Sequence, residues 1–315
     1  MTATLPRHYL VTGGAGFIGS HLVDHLLAAG HQVTVVDDFS SGHRSNLPTH
    51  SQLTVMECSV GALDANQLAG QQWAGIAHLA AIPSVGFSWQ QPLTTHEANL
   101  SHTVHMAALA QQLGCRRFVY ASSAAVYGDP PSLPLGEDLT PSPVSPYGLQ
   151  KRTGEDYLAL LAPRWQLEAI ALRFFNVFGP RQNPHSEYSG VVSRFAAAAL
   201  AGEPLCIRGD GAQTRDFVEV RDVARTLAAA LQQALPAARL SICNVGTGRQ
   251  TSVMALAEAL RRCTGAHSEI RHEPVAAGDI LHSQADTRRL RTLFGIELEL
   301  GLDESLEALL DSLRR

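Results

Sequence analysis

The sequence predicts an α/β protein, a doubly wound parallel sheet of Rossmann type joined to a smaller α/β substrate region. Three observations carry that prediction. Short apolar runs alternate with segments of helical periodicity as far as residue 174. The chain opens with a strand, a glycine-rich turn and an amphipathic helix in that order. After about Gly179 the rhythm changes to helices divided by short strands. Alternating strand and helix favours parallel pairing, because a parallel connection needs a crossover and a helix supplies it.

The elements follow in order. "HYLVT" (8–12) reads as the first strand, and "TGGAGFIGSHLVDHLLAAG" as turn and helix (18–29). Gly13, Gly16 and Gly19 fall in a G-x-x-G-x-x-G spacing. That spacing allows a tight turn, close approach of a pyrophosphate to the backbone, and a helix packed hard on its sheet. The helix N-terminus offers unpaired N–H groups to an anion. "QVTVV" (32–36) is the next strand and ends at Asp37, where a carboxylate can accept from an adenosine ribose and repel a 2′-phosphate. NAD is therefore the expected cofactor, with Arg44 nearby keeping NADP open as the lesser alternative.

"LTVM" (53–56), "GIAHLA" (75–80), "RRFVYAS" (116–122) and "LEAIALRF" (167–174) complete the predicted strands, with helices over 94–113 and 147–161. The fifth strand runs into "ASSAAVYG" (121–128), then into a proline-rich loop (128–146) of a length that is often functional. "SPYGLQK" (145–151) sets Ser145 and Pro146 at cap and first-turn positions, and Tyr147 and Lys151 four apart on one helix face. An ammonium beside a phenol favours the phenolate, so Tyr147 is the expected general base. Further helices are expected near 188–201, 220–234, 251–264 and 303–313. The division expected is an NAD-binding region 1–178 and a substrate region 179–315, with some later chain returning to the first.

Composition excludes other classes. A net charge of −5 gives no basic face for nucleic acid. Five cysteines, at 58, 115, 206, 243 and 263, contain no C-x-x-C and read as reduced. His21/His25 and His102/His105 have metal-like spacing but no third ligand in view, so no metal is expected. No stretch is apolar and long enough to span a membrane, and a cytoplasmic protein is expected.

Over nearly its whole length the chain resembles the extended short-chain dehydrogenase/reductase family, in its NAD-dependent sugar-nucleotide epimerase/dehydratase group. The motifs are "TGGAGFIGS", "HLAA", "SSAAVYG", "YGLQK", "RFFNVFGPRQ", "GDGAQTRDFVEVRDVA" and "GDILHSQAD". The resemblance implies Tyr147 as base, Lys151 on the nicotinamide ribose and Ser123 on the reacting sugar hydroxyl, with Ser122 the neighbouring candidate. It also implies cofactor contacts from Gly13, Gly16, Phe17, Ile18, Gly19, Asp37, Ser41, Gly42, Ser59, Val60, Leu79, Ala80, Ala81 and Asn99. Ser59 stands where many relatives carry an aspartate.

Dehydrating relatives place an Asp-Glu pair after the catalytic hydroxyl residue, and decarboxylating ones a Glu. Here those positions are Ala124 and Ala125, which move no proton. What remains is removal of a hydroxyl proton and a hydride from one sugar carbon, rotation of the 4-keto sugar, and return of the hydride to its other face. The activity implied is UDP-sugar C4 epimerisation. Asn176 and Arg215 match diphosphate ligands, and Leu205 and Ile207 the strand beside uracil. Ser84, Val192, Asp279 and Ser283 complete the implied substrate set. Ala276 stands where an arginine is expected, with Arg271 or Arg181 as possible replacements. Relatives restricted to UDP-glucose and UDP-galactose carry a tyrosine at the Ser283 position. Serine leaves room for an acetamido group, so UDP-N-acetylglucosamine/UDP-N-acetylgalactosamine is the leading pair. UDP-glucose/UDP-galactose and UDP-glucuronate are the alternatives. A non-catalytic NAD-binding protein is the reading from a different class, opposed by the intact Ser123, Tyr147 and Lys151. A homodimer through helices 94–113 and 147–161 is the family's usual assembly.

Overall fold

The computed structural model describes residues 6–129, 132–184, 190–235, 238–274, 280–298 and 301–314. In chain order the first half runs β1 (His8–Thr12), α1 (Phe17–Ala28), β2 (Gln32–Asp37), β3 (Leu53–Glu57), β4 (Trp73–His78), α2 (Val85–Gln90), α3 (Pro92–His96), a π turn (Glu97–Ser101), α4 (His102–Gln112), β5 (Arg117–Ser123), α5 (Pro146–Trp165) and β6 (Glu168–Phe174). There follow β7 (Asn176–Phe178), α6 (Val191–Ala201), β8 (Leu205–Arg208), β9 (Thr214–Arg215), β10 (Phe217–Glu219), α7 (Val220–Gln232), β11 (Leu240–Val245), β12 (Thr251–Ser252), α8 (Val253–Thr264), β13 (Ile270–Glu273), α9 (Arg288–Phe294) and α10 (Leu302–Leu313).

Among the described residues seven strands form one parallel sheet in the order β11-β6-β5-β4-β1-β2-β3. Its strands read as apolar runs because both faces are covered. On one face Tyr9, Val11, Val33, Val35, Val119 and Ile170 pack with Leu22, Val23 and Leu26 of α1 and Val223, Leu227 and Leu231 of α7. On the other, Leu10, Ile76, Phe118 and Tyr120 pack with Met106 and Ala110 of α4 and Leu158 and Ala162 of α5. The alternation of neighbours such as Tyr9 and Leu10 between the two clusters is the period of two of a strand.

β11 comes from far along the chain to the edge beside β6, in register from Leu240–Ala169 to Val245–Phe174. A third core, with Phe178, Phe195, Leu205, Ile207, Leu256, Leu260, Leu306 and Leu309, joins α6, α8 and α10.

Three expected helices differ. The span 94–113 is a short α3, a π turn and α4, and α6 begins at Val191, with residues 185–189 outside those described. A π turn widens a helix by one residue and is common where side chains are held for function; here it contains Asn99. The expected helix 251–264 starts at Val253, because Thr251 and Ser252 pair with β9 and Ser252 then caps α8.

Candidate active site

The sheet order reverses at β1, which lies between β2 and β4. Crevices at such points, outside the carboxyl ends of the strands, are where open α/β sheets bind ligands. Three chain segments leave the sheet there: the glycine turn after β1, residues 79–82 after β4, and Ser123 at the end of β5.

The turn is shaped by space. Gly13 has φ +69°, and a Cβ there would lie 2.7 Å from the Ala80 nitrogen. At Gly19 a Cβ would lie 2.1 Å from the Gly13 carbonyl oxygen, so α1 packs on the turn only as glycine. Gly16 begins α1 with no side-chain cap, and the helix has no acidic residue in its first turn, where Phe17 and Ile18 stand. That helix end suits an anion. Asp37, buried at the end of β2, accepts the amides of Ala15 and Phe39, each at 2.9 Å. Burial raises its pKa, and the two amides oppose that rise. Each carboxylate oxygen keeps accepting capacity for a ribose. Gly42 lies against Asp37, and Ser41 is exposed beside it. Arg44 is committed elsewhere, 2.9 Å from Glu57 and over the Phe39 ring at 4.7 Å, which leaves little for a 2′-phosphate. Ser59 caps a short turn at Val60 by accepting from Gly61. The cradle and donor set fit NAD.

Asn99 holds the segment after β4. Its Oδ1 accepts the Ile82 amide at 2.8 Å and its Nδ2 donates to the Ile82 carbonyl at 3.2 Å. Leu79, Ala80 and Ala81 thus lie between the glycine turn and the π turn.

Ser122 and Ser123 part company at the end of β5. Ser122 is buried and donates to Glu155 of α5 at 2.6 Å, away from the crevice. Ser123 is half-buried, accepts from Ala125 at 3.2 Å, and lies near enough to Tyr147 to favour its phenolate. Adjacent strand residues face opposite ways, which separates the two. Ser145 caps α5 by accepting from Gly148, and Ser88 of α2 accepts the Tyr147 amide at 3.1 Å. Lys151, one turn on, donates to the Ala121 carbonyl at 2.8 Å.

Burial pushes the Tyr147 phenol up to about 12, and the neighbouring Ser123 hydroxyl opposes that rise. The expected lowering by Lys151 is not what the geometry gives. The ammonium lies 5.8 Å from the centre of the Tyr147 ring, and burial depresses Lys151 itself to about 7. A further cation beside the phenol would be needed to bring it toward neutral pH.

Sequence reasoning missed what lies beneath. Arg173 of β6 grips Glu155 through two bonds of 2.9 and 2.7 Å and lies over the Tyr127 ring at 4.7 Å. Tyr127 in turn donates to Asn244 of β11 at 2.7 Å. The available signal was Glu155, a carboxylate four residues past Lys151 on the buried helix face.

On the substrate side, Asn176 is exposed at the start of β7, and Ser84 caps α2. Arg215 of β9 donates to the Thr214 carbonyl at 2.8 Å. Ser283 is buried two residues before Ala285, which bridges Leu135 of the 128–146 loop. The side chains of Val192, Leu205 and Ile207 sit inside the third core, which leaves the backbone of β8 as the part of that strand open to a ligand. In β8 it is Cys206 and Arg208 that face outward. Asp279 and Ala276 lie outside the described residues. The two arginines considered as replacements are engaged, Arg181 with Asp24 at 2.7 Å and Arg271 with Glu269 at 2.8 Å. His21 bonds the Pro180 carbonyl and His105 the Leu63 carbonyl. Among the described residues no three His, Cys, Asp or Glu side chains group as a metal site, and no helix is long and apolar enough to cross a membrane.

A doubly wound sheet with a glycine turn of dinucleotide type, a buried aspartate at the end of β2 and a Ser-Tyr-Lys set is the framework of an NAD-dependent enzyme. The chain belongs to the NAD dependent epimerase/dehydratase family, whose model matches residues 9–246. A "UDP-glucose 4-epimerase" of Mycolicibacterium smegmatis is 40% identical over 302 residues, 94% of this chain and 95% of that protein. A UDP-N-acetylglucosamine 4-epimerase from Methanobrevibacter ruminantium, solved with UDP-N-acetylmuramic acid, superposes with TM-score 0.93 at 32% identity, over 99% of each chain. A UDP-glucose 4-epimerase from Thermotoga maritima, solved with UDP-glucose, gives 0.92 at 34% identity, over 98% of each.

Proposed function

We propose that the protein is a UDP-sugar 4-epimerase whose preferred pair is UDP-N-acetylglucosamine and UDP-N-acetylgalactosamine. The observation that carries the epimerase reading is the pairing of Ser123 and Tyr147 beside Ala124 and Ala125. Tyr147 accepts the C4 hydroxyl proton, and Ser123 orients that hydroxyl. Bound NAD supplies a hydride acceptor, and the positive ring charge that favours the phenolate. Lys151 binds the ribose, and Gly13 to Gly19, Asp37 and residues 79–82 hold the cofactor. With no carboxylate at 124 or 125, nothing drives elimination, so the 4-keto sugar turns over and is reduced on its other face. Asn176 and Arg215 hold the diphosphate. The small, buried Ser283, two residues before the Leu135–Ala285 bridge, favours the acetamido substrate over UDP-glucose and UDP-glucuronate.

The protein acts as a homodimer in this reading. Leu149, Tyr157 and Leu160 form an exposed apolar stripe on α5, beside Trp89 of α2 and Leu93 of α3.

Proton NMR of the anomeric signals, with UDP-N-acetylglucosamine and UDP-glucose offered separately, tests the chemistry. Conversion of the acetylated sugar to its C4 epimer, lost in Tyr147→Phe, is expected. Conversion of UDP-glucose alone would remove the Ser283 argument, and conversion of neither would remove the epimerase reading for these sugars.

A further inference from the structure

His78 ends β4 with its ring almost wholly buried. Its Nδ1 is 2.8 Å from the Thr12 hydroxyl oxygen, and its Nε2 is 3.2 Å from that of Thr103. The proton positions follow from the neighbours. The Thr103 hydroxyl donates to the Asn99 carbonyl at 2.7 Å. A hydroxyl has one hydrogen, so toward His78 Thr103 can only accept, and Nε2 must carry the proton. A neutral ring then has a bare Nδ1, to which the Thr12 hydroxyl donates. The Thr12 oxygen is left to accept, and it takes the Ala80 amide at 3.3 Å.

The result is a directed chain: Ala80 amide to Thr12, Thr12 to His78, His78 to Thr103, Thr103 to the Asn99 carbonyl. The Asn99 side chain closes it on Ile82 through both backbone groups. Residues 80 and 82 are thus held from opposite ends by one circuit, with His78 as the strut. We infer that His78, as the neutral Nε2–H tautomer, is a positioning residue that fixes segment 79–82 against the glycine turn and so sets the shape of the NAD site. The inference rests on reading Leu79, Ala80, Ala81 and Asn99 as cofactor contacts.

No other side chain offers a lone pair and an N–H on opposite sides of a rigid ring of this size. A charged imidazolium would aim N–H groups at both threonines and leave the Thr12 proton without an acceptor. Burial, reinforced by Lys151, His102 and His105, holds the ring neutral, its pKa pushed down to about 3. Tyr120 stacks beside it, with planes 15° apart and centres 6.3 Å apart.

The test begins with ¹⁵N-histidine NMR of the whole protein between about pH 5.5 and 8, well above that value. A protonated Nε2 with bare Nδ1 throughout is expected. An Nδ1–H tautomer, or an imidazolium in that range, overturns the inference. Dissociation constants for NAD and for UDP are then measured on His78→Leu and His78→Gln. Leucine leaves two buried hydrogen-bonding groups unmet, so NAD should weaken by about 10- to 100-fold, with UDP changed by about twofold or less. Glutamine restores a donor near the Nε2 position and should recover part of the loss. Equal loss of both ligands, or no loss of NAD, overturns the positioning role. Should His78→Leu fail to fold, the isosteric Thr12→Val breaks the same circuit and must show the same selective loss. None of these readouts uses sugar turnover, so a failure of the proposed epimerase chemistry would register separately.

Discussion

At the scale of single residues, the site turns on which of two adjacent serines faces the crevice. Ser123→Ala should lower kcat by about 10- to 100-fold with little change in melting temperature, because only a bond to the reacting hydroxyl is lost. Ser122→Ala should do the reverse: near-normal kcat, and a loss of about 1.5–3 kcal/mol by denaturant titration, since its partner is the buried Glu155 carboxylate. Steady-state kinetics on both variants decides the assignment. Lys151 makes a pH-dependent prediction. Its folded pKa, about 7, lies below the 10.5 of the unfolded chain. Between those values the unfolded state holds a proton that the folded state has released, so stability rises with pH across that window. Below it the folded protein carries the whole cost of a buried charge. Lys151→Met should therefore abolish turnover yet stabilise the protein, by about 1 kcal/mol or more at pH 6 and less at pH 9, read from melting curves at the two pH values. Tyr147, Lys151, Asp37 and the glycines were legible in the sequence because their spacing is local. The circuit through His78 was not, because Thr12, His78 and Thr103 meet only after β1, β4 and α4 have packed.

At the scale of elements, the Glu155–Arg173 pair bolts α5 to β6 beneath the catalytic face of that helix. Breaking such a pair strands a buried charge, so Arg173→Met should cost about 3–5 kcal/mol, and the combined Glu155→Leu/Arg173→Met change should recover much of it. Chemical denaturation of the single and double variants measures this. The six strands of the first half and the long helices could be read from periodicity, because each spans enough residues to show one. The short pairs β7–β10 and β9–β12 could not, since two or three residues carry no period. Leu205 and Ile207 show the same limit. Their strand was foreseen, but which of its faces was buried depended on α6, α8 and α10 arriving from elsewhere in the chain.

At the scale of the molecule, the exposed stripe on α5 predicts association. Leu160, 76% exposed, lies at its C-terminal end, and Leu160→Glu should convert a dimer to a folded monomer in sedimentation velocity. A wild-type protein that already sediments as a monomer would remove that assembly. The place of β11 at the sheet edge carries a different consequence, one of timing during synthesis. The β6 edge that β11 covers, from Ala169 to Phe174, is made early and stays uncovered until residues 240–245 leave the ribosome. At about 5–20 residues per second that wait lasts several seconds. During it the nascent chain displays an apolar strand with unpaired backbone groups, a ready template for pairing with another chain. Translational pauses between residues 174 and 240 should therefore be costly to yield, while pauses after residue 245 should matter little.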